Sequence, residues 1–519
     1  MRAIMRNVSG TPIRLVLILA MAMAMVVSLF SVLVAAQGSG VTITVVRGTD
    51  LWTGDPLNDT QATSRSFFHN VFDPLVRVNW DDMENPVPSL AVSWEVLSPT
   101  TIRFHLRQGV KWHDGRDFTA DDVKFTFDRV LDAENPTKVS PLVSSIIAGV
   151  TVEDTYTIVL ETQRPYAPIF SRLETVFIVP RDTFLEMGEV AFGQSPVGTG
   201  AYVVDRWEIG QYIQLVANES WWGWVDREKR PDVVIRKSVP EEFSRFAMLQ
   251  SGEADIVGQI VPERIPEIEA TGNLRVEASP SLRTFFVGMN TWRPPFDNVL
   301  VRMAMNYAID PQLIVDTILS GQATVHPGVC GVGDFGYCPD CLDYAYNPDL
   351  AKELLRAAGY PNGFQVTLWS PRGKYIKDLE TSEAIAGQLE AIGIDVEIYA
   401  PAWAEYWDNF LAGNMDLFYL SAGISFPDCD DLIGYHLDSA RRGIYYNSMV
   451  SDYLIQLEQE TLDTVERARI FEELSRYFVQ EVPWIFLWDQ NLIYGVGSTI
   501  LEFEALPVEH IIYWELVVK

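Results

Sequence analysis

From Val366 onward the sequence alternates short apolar strands with amphipathic helices, and no other feature limits the fold as strongly. Val366 and Leu368 mark a strand, and Ile385, Leu389 and Ile392 share one face of a helix that Gly393 ends. Ile394 to Tyr399 reads as a second strand, Trp403 to Leu411 as a second helix and Leu417 to Leu420 as a third strand. Apolar residues three or four apart line one helical face, whereas successive strand residues point to opposite faces. Strands joined through helices pair in parallel and take the helices onto their faces, so this part is α/β. A further helix precedes it, with Asn347 as N-cap, Pro348 in the first position, Leu350, Leu354, Leu355 and Ala358 apolar, and Gly359 and Pro361 as stops.

The front of the chain reads differently. Val41, Ile43 and Val45 alternate as an opening strand, and Ser64 to Leu75 reads as a short helix and turn. Trp94 and Val96, a turn at Ser98-Pro99-Thr100, and Ile102, Phe104 and Leu106 make a half-buried hairpin. Thr119 followed by Asp122 is a capping box that opens a helix buried through Val123, Phe127, Val130 and Leu131. A strand follows at Tyr156 to Leu160.

With 519 residues, 48% of them hydrophobic and 21% charged, the chain has apolar surface for several cores, which excludes a disordered or fibrous class. Its net charge of −31 repels phosphate backbones and anionic lipid, so nucleic acid is not an expected partner. Arg2, Arg6 and Arg14 precede an apolar run from Leu15 to Ala36, with small residues at Val34 and Ala36. That pattern predicts an export signal over residues 1–36, leaving Gln37 first in the mature chain, or else an uncleaved anchor. Either outcome puts the body of the protein outside the cytoplasmic membrane, in the periplasm or on the outer face of that membrane. Cys330, Cys338, Cys341 and Cys429 suit such an oxidising compartment. Cys338-Pro339-Asp340-Cys341 lacks the second pair or the histidines of a zinc site, so loop-stapling disulfides are expected, with three connectivities open.

Catalytic and nucleotide motifs are missing: there is no P-loop, HExxH or GxSxG. Gly331 to Gly336 fits GxGxxG, but it follows His326-Pro327-Gly328 rather than a strand. A dinucleotide site needs a helix N-terminus aimed at the pyrophosphate, so no nucleotide is expected there. The six histidines form no short-spaced metal pair, and no cofactor or metal is expected.

Pro88 to Glu95, followed by Phe104-His105-Leu106-Arg107-Gln108-Gly109-Val110-Lys111-Trp112-His113-Asp114-Gly115 and Phe118 to Val123, resembles the signature block of the oligopeptide/dipeptide/nickel solute-binding proteins, bacterial extracellular solute-binding family 5. Pro196 to Tyr202 resembles that family's PVGTGPY turn with Ala201 for proline, and Val301 to Ile309, Asn347 to Pro361 and Asn447 to Pro483 also match in order. The resemblance spans nearly the whole mature chain. It implies an α/β clamshell of the periplasmic-binding-protein type, type II and cluster C-like, with an extra domain in the first lobe. The implied division is residues 37–85, 197–284 and 487–519 as a discontinuous domain I, 86–196 as domain II and 285–486 as domain III, the second lobe. The implied function is binding, not catalysis. A monomeric extracytoplasmic subunit of an ABC importer closes its lobes on a peptide and delivers it to permease and ATPase partners. The alternative ligand is an oligosaccharide or another uncharged polar solute; a nickel chelate near His436 and a secreted hydrolase are remoter readings.

Ligands of open α/β sheets bind at the carboxyl ends of strands, which directs attention to Gly423-Ile424-Ser425-Phe426-Pro427-Asp428-Cys429-Asp430-Asp431 after the third strand. Peptide binders of the family carry GW-x-x-D-x-x-D-P there, its first acid meeting the ligand's α-amino group. Here Ala422 takes the tryptophan position, Ser425 the first acid and Cys429 the proline. Serine offers no charge-assisted bond to an ammonium, so Asp428 or Asp430 stands in for it if the loop is shifted. The expected ligand-binding residues are Ser425, Phe426, Asp428 and Asp430, with Trp52, Trp403 and Trp407 as stacking surfaces; core packing is the competing role for these tryptophans and for Tyr406. Cys429 is expected to bond one of Cys330, Cys338 or Cys341, stapling this loop to a neighbouring segment.

Overall fold

The computed structural model describes residues 40–80, 85–341, 344–424 and 426–519. The export signal expected over 1–36 therefore lies outside the described residues, as does Ser425. No helix among the described residues is long and apolar enough to cross a membrane.

Two large sheets organise the chain. The first has seven strands in the order Leu274–Ser279, Leu492–Gly497, Ile256–Gly258, Thr42–Arg47, Val233–Ser238, Tyr212–Ala217 and Tyr202–Glu208. The second has six: Ala323–Val325, Trp484–Gln490, Arg283–Met289, Leu417–Gly423, Gln365–Trp369 and Asp395–Tyr399. In the second sheet Gln365–Trp369 pairs in parallel with both Asp395–Tyr399 and Leu417–Gly423, as the alternation of strands and helices requires. Helices Asp378–Glu390 and Trp403–Leu411 make the two crossovers. Apolar clusters lie on both faces of this sheet, one around Phe286, Phe418 and Phe471, the other around Val287, Leu368 and Leu487.

The hairpin Ala91–Ser98 and Thr101–Leu106 joins Thr157–Thr162 and Ile147–Asp154 in a four-stranded antiparallel sheet. Helix Ala120–Leu131 packs on it, opened by the Thr119–Asp122 capping box, in which the Asp122 carboxylate accepts the Thr119 N–H at 2.9 Å. One apolar cluster, from Ile43 through Phe104 to Val518, runs continuously between this sheet and the seven-stranded one, so the two form a single lobe. The Pro196–Tyr202 turn docks against the helix Ala62–Val71. A Cβ on Gly198 would lie 1.8 Å from the Val71 carbonyl oxygen, which is why glycine stands there.

The chain passes between the lobes twice, side by side. It crosses once between Leu274–Ser279 and Arg283–Met289, and again between Trp484–Gln490 and Leu492–Gly497. Ser281 Oγ donates to the Gln490 carbonyl at 2.5 Å, tying the crossings together. The expected boundaries after residues 284 and 486 fall inside the strands Arg283–Met289 and Trp484–Gln490, whereas the crossings run through residues 280–282 and Asn491.

Candidate functional site

Beside these crossings the lobes enclose a cavity of about 590 Å³. Arg47, Thr49 and Thr63 reach it from the first lobe, and Arg283, Lys374 and Tyr375 from the second. Arg47 ends the central strand of the first sheet, and Arg283 begins a central strand of the second. Lys374 and Tyr375 sit in the loop after Gln365–Trp369, at the carboxyl end of a parallel strand.

The cavity is organised around Glu509. Arg283 Nη2 donates to Glu509 Oε1 at 2.9 Å, and Arg47 Nη2 lies 3.4 Å from Oε2 and 3.2 Å from the Glu509 carbonyl. Arg283 Nη1 also donates to Ser421 Oγ at 3.1 Å. Gly423, its strand partner, leaves space for this guanidinium, since a Cβ there would lie 3.1 Å from Arg283 Cζ. Lys374 Nζ stands 4.6 Å from the centre of the Trp403 ring. Burial opposes ionisation of Glu509, but Arg283, Arg47 and Lys374 together hold its carboxyl below the usual range. Lys374 is pushed down instead, by the crowding of protein around its ammonium and then by Arg283, although the residue as a whole is exposed. Arg47 is 2% exposed; its Nε and Nη1 meet no carbonyl or carboxylate, and the effect of burial on the guanidinium is opposed by Tyr494 and Glu509 beside it.

The 426–431 segment carries no free acid. Asp428 is held by Arg467 through two bonds of 2.7 and 2.8 Å. Asp430 accepts from Tyr166 Oη at 2.6 Å, Arg172 Nη2 at 2.9 Å and Gln459 Nε2 at 2.5 Å. Arg172 Nη1 also meets Asp431 at 2.5 Å. Burial opposes ionisation of Asp430 too, and Arg441 and Arg172 overcome it, keeping the carboxyl far below its ordinary value. Tyr166 and Arg172 belong to the first lobe, so these acids face across the cleft onto protein cations. Cys429 is disulfide-bonded to Cys330, and Cys338 to Cys341. The Phe335 N–H donates to the Pro427 carbonyl at 2.9 Å and the Cys429 N–H to the Phe335 carbonyl at 3.0 Å, fixing the loop to the Gly331–Gly336 segment. That segment is a turn-rich loop with no helix behind it, unsuited to a dinucleotide.

The structure therefore scatters the residues expected from sequence. Phe426 and Asp428 line a second cavity, of about 650 Å³, between residues 167–171 and the 333–337 loop. Trp403 borders the first cavity through Lys374 and Tyr375. Its ring stacks on Tyr406 and Trp407, and Trp407 stacks on Phe410, so these faces meet each other. Trp52 is 68% exposed and lines neither cavity. His436 packs against Phe286 and Trp484, and burial with Arg442 lowers its pKa to about 3. The described residues contain no cluster of His, Cys, Asp or Glu able to hold a metal ion.

Arg47, Arg283, Lys374, Tyr375 and Glu509 were not expected from sequence. Two signals pointed to them: an arginine at the end of a buried apolar strand, and a loop following a parallel strand other than the third.

Residues 85–443 match the family model described as bacterial extracellular solute-binding proteins, family 5 Middle. The chain is 30% identical over 486 residues to the glutathione-binding protein GsiB of Escherichia coli O1:K1 / APEC, covering 90% of this chain and 92% of that one. Its fold is similar to that of a periplasmic binding protein, DppA, from Helicobacter pylori in complex with peptide STSA, with a TM-score of 0.81 and 24% identity over 92% and 98% of the two chains. It is also similar to that of a dipeptide-binding protein from Pseudoalteromonas sp. SM9913 in complex with Met-Leu, with a TM-score of 0.82 and 20% identity over 92% and 100%.

Proposed function

Since the chain belongs to the bacterial extracellular solute-binding proteins of family 5, we propose that it is the extracytoplasmic subunit of an ABC importer that closes on a small peptide and delivers it to a membrane permease. The observation that carries this reading is the cavity of about 590 Å³ between the lobes, beside their two crossings and lined by charged side chains from both. Its size lies within the ~300–1,000 Å³ of small-ligand pockets. Closure buries the ligand between the sheets, and the closed form is the one a permease recognises. ATP hydrolysis belongs to partner subunits, and this chain performs binding alone, as a monomer. Residues 1–36 direct export and place the body outside the cytoplasmic membrane. The first lobe comprises two domains and the second lobe one.

The relative GsiB is named for glutathione, which supports a peptide over a sugar. The aromatic faces of Trp403, Tyr406 and Trp407, on which an oligosaccharide would stack, are taken up by one another.

Calorimetric titration and thermal unfolding of residues 37–519 with di- to tetrapeptides, glutathione and oligosaccharides test the reading. A peptide at about a hundred times its Kd stabilises the folded form by about 2.7 kcal/mol, a readable rise in Tm. A rise with oligosaccharides and none with any peptide overturns it.

A further inference from the structure

The first cavity has more positive charge than its own acids neutralise. Lys377 is matched by Glu263 and Glu380, and Glu242 by Arg264. Arg245 turns Nη1 to the Val239 and Pro240 carbonyls and Nη2 to the Gln259 carbonyl. That leaves Arg47, Arg283 and Lys374 around a single carboxylate, Glu509. In a chain of net charge −31 this is a local inversion of sign. Arg47 adds a geometric feature: its Nε and Nη1, which carry three of the five N–H donors of a guanidinium, hold no carboxylate or carbonyl and have the Tyr494 phenol as their neighbour. A carboxylate is the acceptor whose geometry and charge a guanidinium fits best.

The first cavity offers no free opposite charge; in the second, Asp334 meets no cation among the described residues, but burial and then Asp489 push its carboxyl well above the usual range, towards the neutral form. Asp428, Asp430 and Asp431 are engaged by Arg467, Arg172, Arg441 and Tyr166 of the protein itself, and Glu509 by its three cations. An incoming ammonium would have to displace a hydrogen-bonded arginine from a buried carboxylate, whereas an incoming carboxylate meets guanidinium donors that hold no carboxylate or carbonyl.

We propose that the cleft anchors its ligand by a carboxylate seated between Arg47, Arg283 and Lys374 and requires no free ammonium group, so that the ligand class is the anionic peptides, N-blocked ones included. This rests on the peptide reading above and sharpens it. Glu509 sets the spacing of the cations, and the ligand's carboxylate completes their coordination from the cleft side.

The test uses residues 37–519 and the peptide of the panel that gives the largest Tm rise, in three forms: free, N-acetylated, and amidated at every carboxyl. Succinate and N-acetylglutamate serve as carboxylate probes without a peptide chain. Acetylation is expected to change Kd less than threefold, and amidation to weaken binding at least thirtyfold. Arg47→Gln is expected to weaken the acid form at least tenfold while leaving the amidated form unchanged. Lys374→Met, on a loop, provides the same comparison if the Arg47 variant fails to fold. Loss of binding on acetylation with tolerance of amidation overturns the carboxylate anchor and leaves the peptide reading standing. Binding of the dicarboxylates with no peptide bound in any form retains the anchor and removes the peptide. Absence of binding by every probe removes both.

Discussion

The His69 and His510 rings meet at a tilt of 45° with centres 4.6 Å apart inside the first lobe, and His69 Nε2 lies 2.9 Å from Glu174 Oε1. All three are buried. Burial pushes both imidazoles well below the ordinary 6.5, helped at His69 by Arg77 and Arg65 and at His510 by His69. Burial pushes Glu174 up to about 7 from 4.5, against the pull of Arg65. The two effects have opposite signs. Below pH 6.5 the unfolded chain takes up protons on both histidines that the folded chain refuses, so their contribution is lost as pH falls. Glu174 binds its proton more tightly when folded, so its contribution is present below pH 4.5 and lost as pH rises through 7. His510→Asn removes one of the two acid-side losses. Between pH 6.5 and 4.5 the variant is expected to lose less stability than the parent, by up to about 1.4 kcal/mol per pH unit, measured by urea unfolding at stepped pH. An identical slope in parent and variant would mean that His510 titrates normally in the folded protein. At this scale the sequence is readable only in part. Asp428 and Asp430 stand out as acids in a strand-end loop, but their partners Arg467 and Arg172 are 39 and 258 positions away, and no local pattern announces such pairing.

Helices were the more readable elements because their ends carry their own chemistry. Asn347 Oδ1 accepts the Leu350 N–H at 3.0 Å at the start of Pro348–Ala357, as its position before proline predicts. The Asp122 carboxylate does more than cap: it accepts from the Thr119 and Arg181 N–H groups, each at 2.9 Å, and from Trp112 Nε1 at 3.3 Å. Asn347→Ala is expected to cost about 1 kcal/mol, the usual value of an exposed cap. Asp122→Ala, which strands buried donors on three segments, is expected to cost at least twice as much in the same denaturant titration. Equal costs would show that the Arg181 and Trp112 bonds contribute nothing. The parallel strands were legible for a similar reason, since each sits between two helices of clear periodicity. Trp484–Gln490 was not: all seven of its residues are buried, so it shows no alternation, and the boundary drawn after residue 486 cut through it.

The whole molecule was legible through resemblance rather than periodicity, because closure depends on contacts between segments far apart in sequence. Among the described residues, ion pairs bridge the lobes at three places: Glu509 joins Arg47 of the first lobe to Arg283 of the second, and two further groups lie on separate segments. Arg172 meets Asp430 and Asp431, with Arg164 on Glu460 and the Ala167 N–H on the Gln459 carbonyl beside them. Lys377 meets Glu263 at 2.6 Å. The solvent-accessible Lys377–Glu263 pair, half-buried on the lysine side, contributes little in water, whereas Arg172 is 2% exposed and satisfies two acids and Tyr166. Opening the lobes returns these groups to water, so the net value of the bridge is its closed-state attraction minus the desolvation that closure imposes. If the first term is larger, Arg172→Gln shifts the ligand-free protein toward the open form. Small-angle scattering should then show a larger radius of gyration without peptide and an unchanged one with saturating peptide. The apparent Kd should rise in proportion to the closed fraction lost, tenfold for about 1.4 kcal/mol. Unchanged scattering and an unchanged Kd would mean that the bridge is neutral and that ligand contacts at Arg47, Arg283 and Lys374 alone decide closure. A smaller radius and a tighter Kd would mean that desolvating Arg172 opposes closure.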